Sequence, residues 1–259
     1  MDFFGRNTVK EKLIDFRRNG NTPENCRLIL RHNNKNRYPI DIMDIAHELH
    51  IPFDYQSHGD FDAMYSRFSH QGVVLSYKAN AGSKDGQSQP YPKVSESDML
   101  TAVANKDRCI IVLLDGIKDV GNLGAILRSA LLFNVDYVIL PKDNSAAINE
   151  TAVKRSAGAA FKLPTVTVTN IARCIDELKK AGCWIYAADM GGQSIDKTDF
   201  ADKTALVMGA EGSGIRRLVR ERSDVIVGIP TNDKLDSLNV SVSTGIILYE
   251  VNRQRLRKD

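Results

Sequence analysis

From residue 109 to residue 253 the sequence alternates short apolar runs with amphipathic, helix-like stretches, and no other feature of the 259-residue chain limits its fold as much. The runs at 109–114, 137–140, 165–168, 183–187, 205–208 and 225–229 are almost continuously apolar, and helical patterns cover 123–133, 171–180, 215–222 and 239–253. Strands that are apolar without alternation are buried on both faces, and helices between them supply the cover. The segment therefore predicts an α/β fold built on a parallel sheet. Ligands of such sheets bind beyond the carboxyl ends of the strands. Polar or glycine-rich loops follow three of the runs: DGIKDVGNLG at 115–124, GAEGSG at 209–214 and PTNDKLDSLN at 230–239. The glycines of the middle loop fall as G-x-x-G-x-G, which is neither the dinucleotide fingerprint G-x-G-x-x-G nor a phosphate loop ending in G-K-[ST].

The first third of the chain reads as a separate small α/β unit. Val9, Leu13 and Phe16 recur at helical spacing after Asn7, a candidate cap, and before Gly20, a candidate stop; 26–31 and 73–77 look like strands, and 42–49 and 61–68 like short helices. Arg17, Arg18, Arg27, Arg31, Lys35 and Arg37 gather here among Asn33, Asn34 and Asn36, a patch able to follow a phosphate backbone or simply to remain solvated. Around residues 78–98 Gly, Ser, Pro, Asn and Gln dominate, which suggests a linker. The expected organisation is a substrate-binding domain at 1–78, a linker at 79–105 and a second domain at 106–259.

A formal net charge of +3 permits an anionic partner without demanding one. Cys26, Cys109, Cys174 and Cys183 form no C-x-x-C pair and read as reduced, buried thiols. His47-Glu48-Leu49-His50 lacks the H-E-x-x-H spacing of a zinc helix, so no metal site is expected. No leader-like or membrane-spanning pattern stands out, and the expected location is the cytoplasm.

Asn122-Leu-Gly124-x-x-x-Arg128-Ser129, Met208-Gly209-Ala-Glu211-Gly212-x-Gly214, and Ile229-Pro230 followed by Ser237-Leu238-Asn239-Val240-Ser241 resemble, in order and spacing, the three motifs of the SpoU/TrmH RNA ribose 2′-O-methyltransferases. Within that family the chain looks most like the members that methylate a guanosine ribose in 23S ribosomal RNA. Residues 5–13, His70-Gln71-Gly72, Pro141-Lys142-Asp143 and 205–218 carry this closer likeness. The resemblance implies a carboxyl-terminal trefoil-knotted parallel-sheet methyltransferase domain and a small amino-terminal α/β RNA-binding domain. It also implies S-adenosylmethionine as methyl donor, a homodimer paired near its active sites, and RNA rather than DNA as substrate, because the 2′-hydroxyl is what distinguishes the two. Transfer RNA as the substrate, or a non-catalytic RNA-binding assembly factor that keeps the fold, are the competing implications.

By the same resemblance Arg128, Asn122, Glu211, Ser237 and Asn239 are the catalytic set, and main-chain groups at Gly209, Ile229 and Leu238 hold the cofactor. Arg128, early in a helix whose apolar residues are Leu123, Ile126, Leu127 and Leu131, is expected to point into the cleft, where a permanently charged guanidinium suits phosphate or a developing oxyanion. Asn122 and Asn239 either orient the loops and substrate or cap helices. Glu211 anchors the third loop, anchors Arg128, or caps the helix predicted from Ile215, and Ser237 bonds in the site or caps a helix. Arg216, Arg217, Arg220 and Arg222 either meet RNA, stay solvated or face a dimer partner, and the Arg253, Arg255, Arg257 and Lys258 tail is expected to be solvated. One departure stands in the third motif, where the family usually carries Met and Gly and this chain has Thr231 and Asp233.

Overall fold

The computed structural model describes residues 2–20, 22–32, 38–66, 70–77, 91–232 and 237–258. The chain divides into two compact units, Met1–Pro90 and Tyr91–Asp259.

In the first unit β1 (Asp2–Phe4), α1 (Arg6–Asn19), β2 (Arg27–Arg31), α2 (Ile40–Glu48), β3 (Phe53–Gln56), α3 (His58–Tyr65) and β4 (Val73–Ser76) follow in order. The strands form a mixed sheet ordered β1-β4-β2-β3, with only the β2–β3 pair parallel. Period-two alternation puts Ile29 and Val74 on one face, where they pack with Phe4 and with Phe61 and Tyr65 of α3. Leu28, Leu30, Val73 and Leu75 are left for the opposite face, and all four are buried. Helix α1 ends as expected at Gly20, in left-handed backbone with φ 61°. Its start differs: the N-cap is Gly5, so Asn7 lies inside the helix. Helix α3 begins earlier than expected because Ser57 caps it, accepting the Asp60 N–H at 3.2 Å. The basic patch is partly neutralised, with Arg17 on Glu48 at 2.9 Å and Arg31 on Asp62 at 3.1 Å. Residues 33–37 and 67–68 of the sequence reading lie outside the described residues.

The second unit runs β5 (Lys93–Val94), α4 (Glu96–Ala104), β6 (Cys109–Asp115), α5 (Val120–Leu132), β7 (Tyr137–Pro141), α6 (Glu150–Arg155), β8 (Thr165–Val168), α7 (Ile171–Lys180), β9 (Trp184–Ser194), β10 (Lys203–Gly209), α8 (Arg217–Glu221), β11 (Val225–Gly228) and α9 (Val240–Lys258). All seven strands pair in parallel in the order β11-β9-β10-β6-β7-β8-β5. Every residue of β6 is buried, as the unbroken apolar run requires of a central strand covered on both faces. The main core joins β6, β10 and β9 to α4 and α7 through residues such as Ile111, Val207, Ile185, Met99 and Leu178. Helices α5 and α6 approach closely at Gly124, where a Cβ would lie 2.5 Å from Arg155 Cβ and 2.7 Å from the Ala152 carbonyl oxygen.

Part of the segment 79–105 expected as linker is regular secondary structure of the second unit. Residues 93–94 form β5, which pairs with β8, and residues 96–104 form α4, whose Met99 and Val103 are fully buried. The polar stretch Ser95-Glu96-Ser97-Asp98 that looked like linker is a helix start, with Ser95 accepting the Asp98 N–H at 3.0 Å. Residues 78–90 lie outside the described residues. In the carboxyl-terminal tail Arg257 is exposed as expected, whereas Arg255 and Arg253 are engaged. Arg255 is anchored, donating from Nη2 to the Cys109 carbonyl at 2.6 Å and to that of Asp202, and Arg253 pairs with Glu250 at 2.6 Å.

All four cysteines are free and buried. Burial pushes the Cys26 and Cys174 thiols up to about 12, so at pH 8 neither supplies the thiolate that reacts. Titration with a thiol reagent at pH 8 is expected to find essentially no fast-reacting group in the native protein and all four after denaturation. Rapid native modification of Cys26 or Cys174 would contradict that burial.

Candidate active site

The sheet's strand order reverses beside β6. After β6 the chain builds outward through β7 and β8, then returns on the other side with β10 against β6 and β9 beyond it. That reversal opens a crevice at the carboxyl ends of β6 and β10, the usual ligand position in an open parallel sheet. The register pairs their last residues, Asp115 and Gly209. The loops entering α5, leaving β10 and entering α9 converge there.

A cavity of about 510 Å³ lies on the β10 side, bounded by Met208, Gly209, Gly214, Ile229, Leu238 and Ile247 among others. Its volume falls in the range usual for small-molecule sites. Gly209 is required by close approach: a Cβ there would lie 2.4 Å from the Gly214 carbonyl carbon and 2.5 Å from the Ile215 nitrogen. The loop after it closes on itself, Ala210 and Gly214 exchanging both backbone hydrogen bonds at 3.1 and 2.9 Å. Glu211 projects from this tight turn.

Three predicted residues meet in one network. Asn122 Nδ2 donates to Glu211 Oε1 at 2.9 Å, and Asn239 Nδ2 donates to the same oxygen at 2.8 Å and to Asn122 Oδ1 at 3.0 Å. Of the roles weighed for Glu211, anchoring the third loop is the one present. The helix after it starts at Arg217 rather than Ile215 and takes no side-chain cap, and Glu211 has no bond to Arg128 among the described residues. The cap of α5 is Asp119, which accepts the Asn122 N–H at 2.7 Å, so Asn122 is free to use its side chain in the network. Asn239 does both jobs, its Oδ1 accepting the Ser241 N–H at 2.9 Å and the Ser241 hydroxyl at 2.6 Å at the start of α9.

Ser237 lines the cavity, and the helix-cap position it was weighed for belongs to Asn239. Gly209, Ile229 and Leu238 all line the cavity, as does Thr231; Asp233 lies outside the described residues. Arg128 is exposed on α5, makes no hydrogen bond or ion pair among the described residues, and does not line this cavity.

The four arginines after the second motif are not a free basic row. Arg216 binds Asp115, Arg220 binds Asp189 at 2.9 Å, Arg222 binds Asp176, and Arg217 approaches Glu221 at 3.5 Å. Sequence reasoning missed Asp189 and Met190, which line the cavity because β9 continues to Ser194, well beyond its apolar run. It also missed Asp115, although a carboxylate ending an otherwise apolar strand is a readable signal. Among the described residues no group of His, Cys, Asp and Glu could hold a metal ion, and no helix is long and apolar enough to cross a membrane.

Comparison with known proteins agrees with this fold. The 23S rRNA (guanosine-2′-O-)-methyltransferase RlmB of Xanthomonas campestris is 41% identical over 196 residues, covering 75% of each chain. The RlmB of Xylella fastidiosa is 37% identical over 231 residues, 89% of each chain. The structure of the SpoU methyltransferase AviRb from Streptomyces viridochromogenes in complex with AdoMet shares the fold with a TM-score of 0.72 at 20% identity, over 99% of this chain and 91% of that one. The model of the SpoU rRNA Methylase family matches residues 109–249, the segment that contains the crevice, the cavity and all three loops, and the chain belongs to that family.

Proposed function

We propose that this chain transfers a methyl group from S-adenosylmethionine to the ribose 2′-hydroxyl of a guanosine in 23S ribosomal RNA. The observation that carries the reading is the Asn122–Glu211–Asn239 network at a cavity whose walls are mostly backbone and apolar side chains. The cavity fits the donor: Ile229 and Leu238 offer apolar walls and main-chain groups, and the absence of a Cβ at Gly209 lets the Gly214 backbone close in and complete the wall. Bound there, S-adenosylmethionine supplies a methyl group activated by the attached sulfonium.

The chain's own residues then have to make a poor nucleophile react, by alignment and by charge stabilisation. Both amide donors of the network fall on Glu211 Oε1, and Oε2 takes no hydrogen bond among the described residues. Glu211 Oε2 is thus the acceptor left for the 2′-hydroxyl: it turns the oxygen lone pair inward and takes the hydroxyl proton as the oxygen gains the methyl group. Asn122 and Asn239 hold that carboxylate still, and Ser237 helps shape the donor's seat. The Arg128 guanidinium meets the RNA phosphate or the oxygen as charge develops.

The finer features of the family belong to the same reading. The order β11-β9-β10-β6, with α9 returning across α5, supports a trefoil-knotted path. Exposed Leu132, Val242, Ile246 and Tyr249 on α5 and α9 support pairing of two copies through that face. The first unit, with Arg18 and Arg27 exposed, serves as the RNA-binding domain of a cytoplasmic enzyme.

Incubating the purified protein with labelled donor and either 23S ribosomal RNA or total transfer RNA, followed by mapping of ribose methylation, tests this. Modification of a guanosine in 23S RNA is expected. Label entering transfer RNA alone would replace the substrate assignment, and no transfer to either, with donor bound, would favour the assembly-factor reading.

A further inference from the structure

We infer that Asp115 and Arg216 form a latch that positions the Glu211 loop, and that Asp115 is a positioning residue for methyl transfer. The carboxylate of Asp115 is wholly buried at the end of β6, whereas the Arg216 side chain is 63% exposed and reaches in to it. Asp115 Oδ2 accepts the Arg216 backbone N–H at 2.9 Å, and Oδ1 accepts Nε at 2.7 Å together with Nη2. A buried carboxylate without such partners is strongly unfavourable, which favours the closed pair.

The position of the latch gives it a function. The loop that carries Glu211 leaves the sheet at Gly209, beside Asp115 in the register, and its far end is Arg216. One end is therefore held by strand pairing and the other by Asp115. Between them the Ala210–Gly214 exchange makes the loop a single rigid turn, so a shift at Arg216 is carried to Glu211 and to the cavity wall at Gly214. Asp115 also opens the segment to Asp119, the residue that caps α5 and seats Asn122. The same carboxylate thus ties together the two loops whose side chains meet as Asn122 and Glu211.

The inference rests on the methyltransferase reading, and the two are separable because wild-type turnover tests that reading while the variants test the latch. Full-length Asp115→Asn, Arg216→Gln and Arg216→Lys are measured for S-adenosylmethionine Kd by calorimetry, for kcat and RNA KM, and for Tm. Arg216→Gln is expected to raise the cofactor Kd about 10-fold and lower kcat by about 10- to 100-fold, the scale of a displacement near 1 Å at a reacting group. RNA KM should stay unchanged, Arg216→Lys should recover part of the loss, and Asp115→Asn combined with Arg216→Gln should be no worse than the worse single variant, as for two halves of one contact. If Asp115→Asn does not fold, Arg216→Gln, whose side chain is mostly exposed, still decides. A raised RNA KM with cofactor Kd and kcat intact would make Arg216 an RNA contact and overturn the latch, as would no change in any constant.

Discussion

Gly209→Ala is expected to weaken S-adenosylmethionine binding by about 100-fold or more, the cost associated with misplacing a site by roughly 1 Å. The added Cβ would lie 2.4 Å from the Gly214 carbonyl carbon, 2.5 Å from the Ile215 nitrogen and 2.7 Å from the Gly214 oxygen. All three are backbone atoms, so no side-chain rotation relieves the clash. Strand β10 cannot retreat, because it is registered against both β6 and β9. The loop must move instead, taking the cavity wall and Glu211 with it. Gly212 is the internal comparison: it has φ 80° but nothing within 4 Å of an added Cβ, so Gly212→Ala strains the turn without a clash against the rest of the chain. Calorimetric titration of both variants checks the contrast, and equal cofactor affinity in Gly209→Ala and wild type would move the donor site elsewhere.

Arg128→Ala is expected to lower methyl transfer by about 100-fold or more, the range for removing a group that stabilises transition-state charge. Cofactor Kd should not change, because Arg128 does not line the cavity. It differs from the arginines after the second motif in having no partner among the described residues. Arg216, Arg220 and Arg222 are each engaged by a carboxylate of this chain, whereas Arg128 is exposed and uncommitted among the described residues. Arg128→Lys should rescue poorly if the planar fork grips a phosphate through two N–H groups. Single-turnover kinetics on 23S RNA fragments separates chemistry from binding, and wild-type turnover in Arg128→Ala would remove this arginine from the mechanism.

These expectations depend on features of unequal legibility. Helix α7 occupies Ile171–Lys180 as its periodicity predicts, because Asn170 caps it locally, accepting the Arg173 N–H at 3.1 Å, and its apolar stripe needs only one neighbouring face. Helix α4 escaped notice because its start is composed of the same polar residues as a linker, and its burial depends on the core formed by α7 and the sheet. Strand β9 runs to Ser194 past the end of its apolar run, since β11 pairs along it through a register shift at Ile226/Val227. No local pattern encodes such a partner. The chemistry of Asn122, Glu211 and Asn239 was suggested by motif resemblance, yet caps and site residues share the same residue types, and only hydrogen-bond partners tell them apart.

By itself the sequence determined the parallel α/β architecture of the second unit, the places of its three functional loops and the family to which they point, because hydrophobic periodicity and motif spacing are local properties of the chain. Tertiary structure alone decided which side chains act together. Asn122 and Glu211 are 89 residues apart, and Asn122 and Asn239 are 117 apart, yet they bond because the strand order sets β10 beside β6. It also decided which charges are spent inside the molecule: Arg216 looked like its neighbours in the sequence until Asp115, 101 residues away, closed on it. A residue's type fixes what it can bond, and the fold alone brings the partner within reach.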